Sequence, residues 1–214
     1  MKLLGYWRSS AAYRVRIALN LKGLDAELQS VHLVKDGGEQ HSAQYAALNP
    51  QELVPTLIEG DDEFVLSQSL AIIEYLDEIY PQHQMLPAEP KDRALVRAMA
   101  LSVACEIHPL NNLRVLQYLS GPLGLGEEAK TAWYQHWIHQ GFTALEKQLV
   151  EHSGTYCFGD NVTLADLCLI PQIYNANRFK VDLTVYPNIC RIWDNCHQLD
   201  AFVKAAPENQ DDAS

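Results

Sequence analysis

Strand-like runs occur only before residue 81, and from Lys91 onward the apolar residues follow a helical period alone. That asymmetry restricts the fold more than any other feature, because whatever sheet the chain forms must come from its first 81 residues. Between the two patterns, residues 82–90 contain Pro87 and Pro90, follow Pro81 and lack periodicity, which marks a linker. With 214 residues, the chain has enough length for two cores. The expected organisation is an α/β domain over 1–81, a linker over 82–90 and an all-helical domain over 91–214.

In the first part, KLLGYW (residues 2–7) reads as a strand and Arg8-Ser9-Ser10 as a polar break. The helix that follows has Val15, Ala18 and Leu19 on one face and Gly23 as its stop. Residues 26–33 read as a second strand, 42–48 as a short helix, and TLIE and EFVL around Gly60-Asp61-Asp62 as a hairpin. Residues 68–80 return to helical spacing through Leu70, Ile73, Leu76 and Ile79. The order is βαβ, α, ββα. In the second part, helices are expected over 91–120, 127–152, 163–178 and 187–199. Thr163 and Asp166 fit a capping box, and the tail from Pro207 is expected to fray.

Composition narrows the function. The net charge of −11 is spread over both parts, with 6 basic and 12 acidic residues up to 81 and 10 and 15 after it. A field of that sign opposes phosphate backbones and anionic lipid, so neither nucleic acid nor a membrane is an expected partner. Five cysteines, all beyond residue 104 and without C-x-x-C spacing, read as reduced thiols. No apolar run approaches about 18 residues, and Met1 leads directly into a strand, so the expected location is cytoplasmic. The histidines show no metal-ligand spacing, and no metal is expected.

Three places carry candidate chemistry. Ser9 and Ser10 stand where strand hands over to helix, beside unpaired N–H groups and the positive end of the helix dipole, a setting that favours an anion. Each is also an ordinary helix cap. Val54-Pro55 precedes a strand; a cis bond there would present backbone groups to a ligand, although most X-Pro bonds are trans. Gln68 and Ser69 open the next helix, whose free N–H groups suit a carboxylate.

Taken together, SSAAYRVRIALNLKGL (Ser9–Leu24), KDGGEQ, LNPQELVPTL, QSLAIIEYLDE, IHPLNNLRVLQYL and VTLADLCLIPQIYNANRFKVDL followed by YP resemble the zeta class of glutathione transferases over nearly the whole chain. VPTL, QS and T-x-A-D are general to the superfamily. SS-x-x-x-RVRIAL, PLNNLRVL and NANRFKVDL are far more specific. The resemblance implies a thioredoxin-like βαβαββα domain that binds glutathione, a helical domain that binds substrate, and a homodimer.

Residue by residue, it places Ser9 and Ser10 near the glutathione sulfur and Val54, before a cis Pro55, against the cysteinyl backbone. Gln68 and Ser69 would hold the γ-glutamyl carboxylate, and Gln40, His108, Asn112 and Arg114 would complete the pocket. Arg8 and Arg178 become candidates for a dianionic substrate, since guanidinium groups pair bidentately with carboxylates. Without the family, Arg8 reads as a surface side chain and Arg178 as a partner of its helix's C-terminal dipole. His108 before Pro109 reads as a kink. Arg14 and Arg16 read mainly as structural, Arg14 at a position able to approach the glutathione site.

The implied reaction is cis–trans isomerisation of maleylacetoacetate or maleylpyruvate with glutathione as cofactor. Two alternatives share the sequence: a transferase or dehalogenase acting on small α-halo acids, and a non-enzymatic interaction module. The family's signature serines are commonly followed by cysteine, and here Ala11 stands in that position. The absence of any cysteine before Cys105 excludes a thioredoxin or glutaredoxin role, which needs a protein thiolate.

Overall fold

The computed structural model describes residues 1–60 and 64–213. The chain divides into two compact units, Met1–Gln84 with Gln198–Ser214, and Met85–His197. Asp61, Asp62 and Glu63, at the expected hairpin turn, lie outside the described residues.

In the first unit, β1 (Lys2–Gly5), β2 (Glu27–Ser30), β3 (Thr56–Glu59) and β4 (Phe64–Ser67) form a sheet in the order β2-β1-β3-β4. β1 runs parallel to β2 and antiparallel to β3, with Leu3 opposite both Leu28 and Leu57. The alternation of β1 sorts its side chains to two faces. Leu4, with Tyr6 beyond the strand, packs with Val31, Tyr45 and Val54, and Tyr45 belongs to α2 (Ala43–Leu48). Leu3 and Leu57 are buried on the other face.

Helix α1 (Ser10–Lys22) packs on α3 (Ser69–Ile79) and α9 (Asp200–Ala205). Its Ala12, Val15, Ile17, Ala18 and Leu19 are all buried, the larger ones contributing about 1.5–3 kcal/mol each. The helix ends at Gly23, whose φ of 64° is the left-handed conformation that glycine adopts without strain. β2 is shorter than the expected 26–33, and all four of its residues are exposed.

Near its end, α1 is joined to α3 by a buried cation. Lys22 Nζ donates to Asp77 Oδ1 at 2.9 Å and to the carbonyls of Tyr80 and Gln82 at 2.7 and 3.0 Å, which uses all three of its hydrogens. Lys22→Met is expected to lower unfolding stability by about 3 kcal/mol in denaturant titration, because it takes the cation away from the largely buried Asp77 carboxylate.

The C-terminal segment is the main departure from the sequence expectation. The expected helix over 187–199 stops at Cys196, and a separate α9 begins at Asp200. α9 is held on α1 through backbone acceptors: Tyr13 Oη donates to Phe202 O, Arg16 Nε to Ala205 O and Asn20 Nδ2 to Ala201 O. The expected fraying from Pro207 is not observed through Ala213. Asp212 accepts from Trp7 N at 3.2 Å and Ser30 Oγ at 2.7 Å.

The second unit contains α4 (Pro90–Leu101), α5 (Leu113–Ser120), α6 (Glu127–His152), α7 (Leu164–Arg178) and α8 (Pro187–Cys196). α7 supplies its centre, with every residue from Leu164 to Ile173 buried. The expected helix over 91–120 is interrupted. Residues 102–107 are wound more widely, with His108 N bonded five residues back to Val103 O. Pro109 has no N–H to continue the ladder, and α5 restarts at Asn112, whose Oδ1 accepts from Arg114 N. A side chain at Gly141 of α6 would collide with Ile107, so the widened turn approaches α6 only because residue 141 is glycine.

Asp166 anchors the start of α7. Its Oδ2 accepts from Thr163 N and Thr163 Oγ1, and its Oδ1 from Cys157 N, all at 2.8–2.9 Å. The expected capping box thus also fastens the preceding loop to the helix.

Candidate active site

In the first unit the candidate residues sit on four connections. Ser9 caps α1 in an extended conformation, its N–H bonded to Tyr6 O and its Oγ accepting from Ala12 N at 3.2 Å. One lone pair is used in this way, so the hydroxyl hydrogen remains for another acceptor. Ser10, the first residue of the helix, is 6 % exposed. Arg8 precedes them with its guanidinium 5.0 Å from the Trp7 ring centre, and no carboxylate among the described residues forms an ion pair with it.

The Val54–Pro55 bond is cis. Its loop is fixed by side chains the sequence did not single out. Tyr45 Oη donates to Leu53 O at 2.6 Å and lies 2.9 Å from Thr56 Oγ1, while Asn49 Nδ2 donates to the same carbonyl at 2.7 Å. Burial pushes the Tyr45 phenol up, which keeps it a neutral donor. With the loop held from that side, the backbone N–H and C=O of Val54 have no hydrogen-bond partner among the described residues.

Gln68 precedes α3 with φ 72°, its Nε2 donating to Gln51 Oε1 at 2.6 Å. Because no side chain caps α3, the N–H groups of its first turn remain available. Ser69 is 6 % exposed and accepts from Arg14 Nη1 at 3.3 Å. Gln40, 7 % exposed, has its Nε2 2.9 Å from His41 Nε2, while its Oε1 has no hydrogen-bond partner among the described residues. His41 in turn pairs with Glu52.

In the second unit, His108 closes the widened turn with Nε2 3.4 Å from Asn112 Nδ2, and Arg114 is exposed on α5. The expected kink at His108-Pro109 is present. Arg178 ends α7, exposed, with Nη1 donating to Asn175 Oδ1 at 3.3 Å and its guanidinium 5.9 Å from the Phe179 ring centre. Phe179 stacks on buried Tyr134 at 3.6 Å. Burial pushes the Tyr134 phenol up, and the Arg178 charge opposes that shift. This aromatic support for Arg178 was missed in the sequence, although Tyr134 and Phe179 are visible there as isolated apolar positions.

Four of the five thiols, those of Cys157, Cys168, Cys190 and Cys196, are poor nucleophiles. Cys157, Cys168 and Cys196 are buried, and burial pushes the Cys157, Cys190 and Cys196 thiols up. Ala11 leaves no thiol in the first turn of α1. The free groups suit a small peptide: the backbone of Val54, a cap hydroxyl at Ser9, and a helix end at Ser69 without a side-chain cap.

The family model described as Glutathione S-transferase, N-terminal domain, matches residues 3–84, and that of the C-terminal domain matches residues 132–200. The chain is 54 % identical over 211 residues to a probable maleylacetoacetate isomerase of Vibrio cholerae, covering 99 % of this chain and 97 % of that one. It is a zeta-class glutathione transferase.

Among solved structures, this zeta-class chain is similar to a holo maleylpyruvate isomerase described as a bacterial zeta-class transferase, with TM-score 0.95, 49 % identity and full coverage of both chains. It is similar also to a maleylacetoacetate isomerase of Methylobacterium extorquens with bound malonate and glutathione, at TM-score 0.93 and 41 % identity with full coverage of both. The zeta-class thioredoxin-like and helical architecture accounts for the two patterns in the sequence. Glutathione fits the first unit on the chain's own evidence, because the orphaned Gln40 Oε1 and free Val54 backbone call for peptide partners and the uncapped α3 calls for a carboxylate.

Proposed function

We propose that this chain is a glutathione-dependent cis–trans isomerase of maleylacetoacetate or the closely related maleylpyruvate. The observation that carries the reading is the Ser9 hydroxyl, which caps α1 with one lone pair and keeps its hydrogen for a ligand sulfur. Bound glutathione supplies a sulfur nucleophile whose reversible addition to the cis double bond, conjugated to a ketone, lets that bond rotate. The protein's part is to favour thiolate over thiol, and a donated hydroxyl at a helix N-terminus does so.

We assign Ser9 and Ser10 to the sulfur, Val54 before Pro55 to the cysteinyl backbone, Gln68 and Ser69 to the γ-glutamyl carboxylate, and Gln40 to the remaining peptide. His108, Asn112 and Arg114 are also assigned to glutathione binding. Arg8 and Arg178 are assigned to the two substrate carboxylates. Both guanidiniums lie beside aromatic rings, which orients a planar cation without using its hydrogen-bond donors. Residues 1–81 carry most of the glutathione-binding residues and lead through the linker 82–90 into an all-helical substrate-binding domain over 91–214. The protein acts as a homodimer in the cytoplasm. Sedimentation at twice the chain mass is the expected result for the dimer.

The test is an isomerase assay on maleylacetoacetate and maleylpyruvate with and without glutathione. Conversion of at least one substrate, strictly dependent on glutathione, is expected. Bound glutathione without conversion of either would move the reading to displacement on α-halo acids, and no glutathione binding at millimolar concentration would leave an interaction module.

A further inference from the structure

The tail that follows α9 is bent back on the start of the chain by its own side chains. Asn209 Nδ2 donates to Val203 O at 2.7 Å, and Gln210 Nε2 donates to Lys204 O and Ala206 O, both at 2.9 Å. These carbonyls belong to the last turn of α9 and the residue after it, where a helix leaves acceptors unfilled. The fold-back carries Asp212 to the exits of β1 and β2. There a single oxygen, Asp212 Oδ2, accepts from Trp7 N at 3.2 Å and from Ser30 Oγ at 2.7 Å.

The Trp7 carbonyl is held from the same segment. It accepts from Arg16 Nη2 at 2.9 Å, while Arg16 Nε donates to Ala205 O at 3.0 Å. Both backbone polar groups of Trp7 are thus tied to the C-terminal segment, the N–H directly and the C=O through Arg16. Trp7 lies beyond the end of β1 at Gly5, so these bonds, and not the strand ladder, fix the peptide planes on either side of it and with them its φ and ψ. Its indole supports the Arg8 guanidinium at 5.0 Å, with the Tyr6 ring at 5.9 Å. A cation over a ring keeps its place only as well as the ring does. The other groups of the candidate site have separate anchors: Ser9 through Tyr6 O and Ala12 N, and Val54 through the loop that Tyr45 and Asn49 brace.

We infer that Asp212 is a positioning residue for the isomerisation: by holding the Trp7 N–H it sets the platform from which Arg8 meets a substrate carboxylate. The inference rests on the assignment of Arg8 above and adds to it a residue at the far end of the chain that touches neither cofactor nor substrate.

The test uses the full chain, with turnover followed against maleylacetoacetate and maleylpyruvate at saturating glutathione. Asp212→Ala is expected to raise the substrate KM about tenfold, the scale of a small displacement of a positioned group, with kcat within about threefold. Its glutathione affinity by isothermal titration is expected to change by less than about twofold, because the other anchors are intact. Both bonds fall on one oxygen, so the amide oxygen of Asp212→Asn can replace it and keep KM within about threefold of the unaltered value. Ser30→Ala, which removes the other donor and leaves Trp7 held, is expected to match the unaltered protein. In an Arg8→Met background, Asp212→Ala is expected to add less than about twofold to KM, since both act through the same guanidinium.

A lower melting temperature of Asp212→Ala with KM unchanged would overturn the inference and leave the tail a structural strap. So would Asp212→Asn as impaired as Asp212→Ala, a full additional loss in the Arg8→Met background, or an ordinary KM in Arg8→Met alone. Absence of isomerase activity from the unaltered protein would instead sink the functional reading. Hydrogen exchange at the Trp7 amide then decides for the tail by itself: faster exchange in Asp212→Ala but not in Ser30→Ala supports its hold on Trp7, and unchanged exchange overturns it.

Discussion

Ser9→Ala is expected to lower glutathione-dependent isomerisation by about 10²–10³-fold, the usual effect of deleting one preorganised donor to a reacting anion. Ser10→Ala is expected to cost only a few-fold. The difference follows from geometry. Ser9 Oγ takes its cap bond from Ala12 N as acceptor and stays partly exposed, whereas Ser10 is nearly enclosed within the first turn. The measurement is thiolate absorbance of bound glutathione against pH, beside turnover. Ser9→Ala is expected to move the thiol titration upward and Ser10→Ala to leave it nearly in place. Equal small effects in both variants would remove the hydroxyl from the mechanism.

Asp166→Ala is expected to cost about 4–5 kcal/mol of stability, read from denaturant midpoints. Asp166 is wholly buried and accepts from Thr163 N, Thr163 Oγ1 and Cys157 N. Its removal leaves three donors without acceptors, each costing about 1–3 kcal/mol, and removes the helix cap. The effect has a predictable pH dependence. Burial raises the Asp166 carboxyl above its ordinary value, against the donors that pull it down. A folded-state value above the unfolded one means the fold holds the proton more tightly. Asp166's contribution is therefore complete below about pH 4 and declines as pH rises through the folded-state value. The gap between the two proteins should narrow in that direction; a widening gap would show that the hydrogen bonds outweigh burial.

The parts of the fold that sequence revealed are those governed by local chemistry. Gly23 ends α1 through a conformation few other residues tolerate, and the Thr163–Asp166 pair starts α7. The break before α9 had no such signal. Residues 197–199 (HQL) contain neither glycine nor proline, and Leu199 turns extended where α9 settles on α1, a tertiary effect. The candidate site divides in the same way. Ser9 and Ser69 were accessible because they open helices. Tyr45 and Asn49, which brace the loop before Pro55, were silent because their roles depend on Leu53 and Thr56 being brought within reach. Arg14 read as mainly structural, and only the folded chain shows its guanidinium donating to Ser69 Oγ.

The seating of α9 and the tail on α1 bears on how the molecule is made. Tyr13, Arg16 and Asn20 leave the ribosome 181–189 residues before their partners Phe202, Ala205 and Ala201. The unit begun first is finished last, while every residue of the helical unit between Met85 and His197 is already synthesised. During translation the flank of α1 that receives α9 therefore waits uncovered until the whole second unit has been built.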